Sequence, residues 1–393
     1  MSPVAAGSPP AVAHRAEALV DHGAIAHNVA LLARLAARAA VMVVVKADGY
    51  GHGAVAVART ALAAGADRLG VCTLDEAAEL RAAGVDAPVL AWLAAPGDDR
   101  GPAVASAVDL GVSSRADLDA AAAGARRAGR PARIHLKIDT GLSRNGCPPH
   151  EWGDLLAAVS AAVATGDVEP VAVWTHLAHA DAPAHPTVDR QAARFDDAHR
   201  AAVTHLGRGL EAHLANSAAT LTRPDLHRDV VRPGIAVYGL DPTEAPDNSG
   251  LRPAMTFRSQ AVLVKRVAAG EGVSYGHEWT TPDDRWLALV PVGYADGVPR
   301  RLGGRMTVRI GGARRPVVGR VCMDQVVVDL GPASDGPTGV APGDEVVLFG
   351  PGDAGEPTAA DWAGWLDTIH YEVVTGVGSR PRVARVAWAG AAR

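Results

Sequence analysis

Cysteine is almost missing from this chain of 393 residues: Cys72, Cys147 and Cys322 stand far apart and form no C-x-x-C pair. That excludes a disulfide framework and the common zinc and dithiol patterns, and it fits a reducing compartment. There is no Lys/Arg-rich run of the kind that tracks a phosphate backbone, and the net charge of -5 is spread over interspersed acids and bases. Nucleic acid is therefore not an expected partner. Long hydrophobic runs are lacking too. The longest early one, 39–45, lies between Arg38 and Lys46, well short of the roughly 20 residues a membrane helix needs. His14, Arg15 and Glu17 interrupt any apolar core of a signal peptide. These absences describe a soluble, cytoplasmic protein, with residues 1–13, rich in Pro, Ala, Gly and Ser, as a frayed tail.

What is present has two parts. The length allows one large domain and a smaller second one, each with its own core. Up to about residue 240, short β-branched runs alternate with Ala/Leu/Arg segments of helical period, the pattern of repeated βα units on a parallel sheet. Eight strands are expected near 41–45, 69–73, 89–92, 108–112, 134–138, 171–175, 211–214 and 230–232, with helices over 54–64, 75–83, 115–128, 152–164 and 187–206. Eight units in this length suit a closed (β/α)8 barrel of the TIM type, although an open doubly wound sheet has similar local periodicity. Residues 241–252 read as a linker. Beyond them, Val-rich runs at 260–267, 286–292, 306–310, 316–321, 326–330 and 345–349 are broken by Gly-Gly and Pro-Gly turns, with one helix at 358–369. A mainly-β, antiparallel domain is expected there. The resulting division is 14–246 for the barrel and 252–393 for the β-domain.

A barrel of this kind assembles its site at the C-terminal ends of its strands. Polar residues gather there: Lys46 after the first strand, Lys137 in the fifth, His176 after the sixth, Asn216 and Ser217 after the seventh, Arg232 and Gly234 at the eighth. Singly, each reads more readily as a solvated or locally bonded group. Five strands delivering such groups to one rim points to a site. A Lys leaving an apolar strand is the type of nucleophile that forms a Schiff base, because desolvation frees its lone pair. The loops after strands seven and eight commonly hold phosphate on backbone N–H groups. Together these suggest pyridoxal 5'-phosphate, tethered as an imine at Lys46 and by its phosphate at Ser217 and Gly234.

The motifs resemble those of the alanine racemase family. Val45-Lys46-Ala47-Asp48-Gly49-Tyr50-Gly51-His52-Gly53 is similar to the family's cofactor-binding segment, and collinear matches continue along almost the whole chain. They include the segments 137–144, 175–177, 216–217, 232–235, 273–276, 293–297, 322–325 and 371–373. Leu142 and Pro233 depart from common family choices without changing a reacting group. The resemblance implies Lys46 and Tyr275 as the two catalytic acid/base groups and Tyr50, His176, Asn216, Ser217, Arg232, Gly234, Ile235 and Tyr371 as further cofactor contacts. It also implies Arg144, Met323 and Tyr294 around the substrate, and a carbamylated Lys137. No metal is implied. The expected function is interconversion of L- and D-alanine, supplying D-alanine for peptidoglycan, in a homodimer whose sites join Lys46 of one chain to Tyr275 of the other. Two acid/base groups are required because the proton leaves one face of the α-carbon and returns on the other. A phenol needs nearby positive charge to act as a base at neutral pH, and His176 and Arg232 are the candidates.

The nearest alternatives are racemases of serine, lysine or ornithine on the same scaffold. A basic-amino-acid decarboxylase of related build would lack the Val273-Ser274-Tyr275-Gly276 tyrosine. A non-catalytic cofactor carrier would lack the second domain.

Overall fold

The computed structural model describes residues 9–243, 249–335 and 339–389. Residues 1–8 of the expected tail and 244–248 of the expected linker lie outside these; residues 9–13 carry no regular structure. The described residues divide into two compact units: Ile25–Gly49 with Ala54–Leu251, and Tyr50–Gly53 with Arg252–Arg393 and the N-terminal segment up to Ala24.

The first strand, β1 (Glu17–Asp21), belongs to the second of these units. The next eight form a barrel: β2 (Ala40–Val44), β3 (Arg68–Val71), β4 (Val89–Ala91), β5 (Val108–Val112), β6 (Ala132–Lys137), β7 (Val168–Trp174), β8 (Glu211–His213) and β9 (Val230–Val231). All eight expected strands are present, and the pairing is parallel in the order β8-β7-β6-β5-β4-β3-β2-β9. An open sheet would leave β8 and β9 as edges. Instead Asp229 N–H donates to Ala212 O at 3.1 Å and Arg232 N–H to Ala215 O at 2.9 Å, which closes the ring. Inside, Met42, Leu90 and Val230 are each at most 1% exposed and pack with Trp92, so the barrel is a filled core. The five expected helices lie at Ala54–Ala63, Leu74–Ala82, Arg115–Ala128, Trp152–Ala164 and Pro186–Leu206.

In the other unit the chain continues as β10 (Met255–Gln260), β11 (Leu263–Val267), β12 (Gly272–Val273), β13 (Trp279–Thr280), β14 (Arg285–Val290), β15 (Thr307–Ile310), β16 (Ala313–Val318), β17 (Val326–Pro332), β18 (Glu345–Phe349) and β19 (Ala384–Trp388). Nine strands pair in the order β11-β14-β17-β16-β15-β18-β10-β1-β19, antiparallel except for β1 beside β19. The expected strand 260–267 is broken in two. Ala261 N–H donates to Asp344 O and Val262 N–H to Leu289 O, so consecutive residues bond different neighbours and the chain changes partner between them. The expected helix 358–369 ends at Leu366, and a second helix, His370–Gly378, follows it. Its composition, HYEVVTGVG, favours a strand by propensity. Burial of Val373, Val374 and Val377 at helical spacing overrides that preference.

Glu17, fully buried, anchors the unit. Its Oε1 accepts the N–H groups of Ala13 and His14, and its Oε2 accepts Arg258 Nε–H at 3.0 Å. Arg258 also reaches the half-exposed Glu345 at 3.0 Å. Removing one partner of a buried pair leaves the other charge uncompensated. Glu17→Gln should therefore cost about 3–5 kcal/mol in urea unfolding, whereas Glu345→Gln should cost at most about 1 kcal/mol because its carboxylate remains in water.

Candidate active site

Lys46 is placed by its strand and by a strained turn. Val44 N–H donates to Pro233 O and Val45 N–H to Gly70 O, locking the end of β2 between β9 and β3. The chain then makes an unusual run of left-handed residues: Ala47 (φ 51), Asp48 (φ 51), Gly49 (φ 62) and Tyr50 (φ 52). For residues with a side chain this costs of order 1–3 kcal/mol each, so neighbouring bonds must hold it. Glu76 supplies one, accepting Ala47 N–H on one oxygen at 2.7 Å and Cys72 N–H on the other at 2.7 Å. Asp48 supplies a second by accepting Ala54 N–H at 2.8 Å.

The opposite strands bring cations together. Lys137 ends β6 almost completely buried, with its Nζ 4.3 Å from the centre of the Trp174 ring. Burial, then the Arg232 and Arg144 charges, push its amine down to about 8. Arg232 is 4% exposed, 5.0 Å from the same ring, and its Nη2 donates to Thr175 O at 2.7 Å and approaches His176 Nδ1 at 3.4 Å. Burial pushes this guanidinium down to about 9, which still leaves it charged at neutral pH. Burial and the same Arg232 charge hold His176 well below the ordinary imidazole range. Arg144 lies in the loop after β6, exposed.

Beside Arg232, Gly234 N–H and Ala236 N–H converge on Ser217 Oγ at 2.8 and 3.3 Å. Asn216 caps the helix Ser217–Thr222 by accepting Ala219 N–H at 3.1 Å. Ile235 is buried in the turn that follows Gly234. The barrel unit thus gathers Lys46, Lys137, His176, Asn216, Ser217, Arg232, Gly234 and Ile235 at the C-terminal ends of its strands, as expected.

The remaining expected residues lie in the other unit. Tyr50 and Tyr371 face each other with ring centroids 6.3 Å apart. Their segments meet so closely at Gly51 and Gly378 that a Cβ on Gly378 would lie 2.0 Å from Gly51 O, so glycine is required there. Tyr275 is 72% exposed, and its neighbour Ser274 donates to Arg320 O at 2.8 Å. Tyr294 N–H donates to Cys322 O and Ala295 N–H to Met323 O, both at 3.0 Å, which laces the Tyr294 and Met323 loops together. Both side chains remain open to solvent within this chain.

Behind Arg232 the structure reveals groups absent from the sequence-based set: His213, His135 and Asp109, all buried. His135 lies two residues before Lys137 on the same strand, hence on the same inward face. That alternation was the available signal. A further one is that Lys46 and Lys137 are two of only three lysines in the chain, against 35 arginines.

Comparison with known proteins matches residues 20–242 to the family described as alanine racemase, N-terminal domain, and residues 254–387 to alanine racemase, C-terminal domain. An alanine racemase from Mycobacterium ulcerans is 57% identical over 371 residues, covering 94% of each chain. The crystal structure of alanine racemase from Streptomyces lavendulae superposes with a TM-score of 0.91 at 48% identity, covering 96% of this chain and 98% of that one. A structure of the Bartonella henselae alanine racemase, described as having covalently bound pyridoxal phosphate, superposes with a TM-score of 0.83 at 27% identity, over 95% of this chain and 99% of that one.

The Lys137 environment makes a pH prediction. Its folded value, about 8, lies below the ordinary lysine value of 10.5, so the folded state binds this proton more weakly than the unfolded state does. The penalty is full below pH 8 and is relieved as pH rises toward 10.5. In buffer free of carbon dioxide, the stability of the Lys137→Met variant should exceed that of the parent at neutral pH by about 3 kcal/mol. The gap should close across that window in denaturant titrations at stepped pH.

Proposed function

Because this chain belongs to the alanine racemase family, we propose that it interconverts L- and D-alanine with pyridoxal 5'-phosphate, as a homodimer whose sites are shared between chains. The observation that carries the proposal is the register of β2 beside β9. The bond from Val44 N–H to Pro233 O sets the strand leading to Lys46 against the turn of Arg232 and Gly234, whose N–H donates to Ser217 Oγ.

The residues fit such a cofactor. Lys46 offers an amine for a covalent link. The Gly234 and Ala236 N–H groups, which donate to Ser217 Oγ here, and the Ser217 O–H are the donors that phosphate oxygens would accept; Asn216 and Ile235 frame them, and Tyr50 and Tyr371 would add hydroxyl contacts. When bound, the cofactor supplies the electron sink that acidifies the α-hydrogen of the amino acid. Lys46 Nζ and Tyr275 Oη then take and return that proton on opposite faces. Arg232, still charged at neutral pH, would face the ring nitrogen, leave it without a proton and so limit side reactions. His176 would sit beside the ring. Arg144 would orient the substrate carboxylate, and Tyr294 with Met323 would restrict the side chain to a methyl group. A carbamate on Lys137 would replace a crowded ammonium by an anion between Arg232 and Arg144; an amine held near 8 is partly neutral, as attack on carbon dioxide requires. In this reading residues 14–246 bind the cofactor and 252–393 supply Tyr275. The D-alanine formed would serve peptidoglycan synthesis. Among the described residues no helix is long and apolar enough to cross a membrane.

Borohydride treatment of the purified protein should abolish its visible absorbance and fix the label on Lys46 in peptide mapping; an adduct on Lys137 would overturn the assignment. Lys46→Ala and Tyr275→Phe homodimers should each be nearly inactive. Mixing them should restore roughly one intact site in four, because one site of each heterodimer inherits both defects and the other neither. No recovery despite confirmed subunit exchange would refute the shared site.

A further inference from the structure

Arg232 is buried, and no carboxylate touches it among the described residues. Its Nη1 instead meets His213 Nδ1 at 3.1 Å; His213 Nε2 meets His135 Nδ1 at 3.0 Å, and His135 Nε2 meets Asp109 Oδ2 at 3.2 Å. The four residues are between 0% and 7% exposed and come from β5, β6, β8 and the end of β9, so the chain of contacts crosses the barrel interior. Trp174 lies flat on His213, 5.6 Å between centroids and 12° between planes, fixing that ring.

Only one arrangement of protons satisfies every contact. A guanidinium has donors alone, so His213 Nδ1 must accept and its proton sits on Nε2. That proton is donated to His135 Nδ1, which places the His135 proton on Nε2, donated in turn to Asp109. Both rings are then neutral, in keeping with burial and the Arg232 charge holding His213 well below the imidazole range. We infer that Asp109 is a positioning residue for Arg232, its negative charge relayed through His135 and His213 along hydrogen bonds that all point one way. A buried guanidinium left without such a chain would lose both an oriented acceptor and a remote counter-charge. The catalytic consequence rests on the proposed function, in which Arg232 faces the cofactor ring; the proton arrangement does not.

At its far side Asp109 Oδ1 accepts Arg133 Nε–H at 2.9 Å, and Arg133 pairs with Glu169 at 3.3 Å. Burial pushes the Asp109 carboxyl up, but hydrogen bonds from His135 and Arg133 outweigh it and keep the group ionised. Asp109→Asn retains the shape yet has one acceptor oxygen and one amide donor, so either His135 or Arg133 must face a donor.

The test is 15N NMR of the imidazoles in the holoenzyme, beside steady-state kinetics. In the parent protein at neutral pH both His135 and His213 should carry a single ring proton, on Nε2. In Asp109→Asn a form protonated on Nδ1 should appear at His135, and kcat should fall about tenfold, the scale typical of a lost supporting hydrogen bond, with KM for alanine little changed. Glu169→Gln, which breaks the pairs with Arg133 and Arg208 and leaves the line from Asp109 to Arg232 intact, should alter stability and leave tautomers and kcat alone. An imidazolium or an Nδ1–H on His213 in the parent overturns the inference, as does Asp109→Asn with unchanged tautomers and kcat. Should Asp109→Asn not fold, the parent tautomers decide by themselves. Tautomers that disagree while borohydride still labels Lys46 would sink this inference and leave the proposed function standing; agreement without the Lys46 label would do the reverse.

Discussion

The burial of the Arg232 guanidinium is the constraint on which the barrel interior depends. A cation removed from water needs directed partners, and here they come from two strands: Thr175 O and His176 from just past the end of β7, and His213 from β8. Closing the ring is what supplies them, because Arg232 N–H to Ala215 O is itself one of the bonds that join the last strand to its neighbour. The aromatic Trp174 lies within 5.0 Å of both Lys137 and Arg232, giving two nearby cations a common negative face.

That crowding has chemical consequences. Burial, with two nearby arginines, weakens the hold of Lys137 on its proton, and burial with the same charges keeps His176 neutral. A site that repels extra positive charge but retains a cation at neutral pH is suited to binding an anionic group. The strain at Ala47 and Asp48 belongs to the same design: the carboxylates of Glu76 and Asp48 hold a left-handed turn that fixes where Lys46 leaves its strand.

The fold was legible where local pattern and burial coincide. All eight barrel strands and five helices follow from apolar runs alternating with helical periods, and the rim residues follow from being polar at strand ends. The legibility failed where packing outranks propensity. His370–Gly378 is a helix despite its β-branched and glycine-rich sequence, because one face is buried and Gly378 fits against Gly51. The strand β1 precedes the barrel in sequence yet pairs with β10 and β19, a pairing no local pattern encodes.

By itself, then, the sequence determined the periodicity of the barrel, the absence of disulfide and membrane-helix solutions, and which polar residues end which strands. Side-chain period in strands and helices is a local property, set by backbone geometry within a few residues. Only the tertiary structure decided that Asp109, His135 and His213 stand in line behind Arg232, since these residues are 19 to 123 positions from it in the chain and meet through ring closure. Their direction of hydrogen bonding, and the drop of Lys137 toward neutrality, are properties of charges held a few ångströms apart in a buried space, which no segment of the chain carries alone.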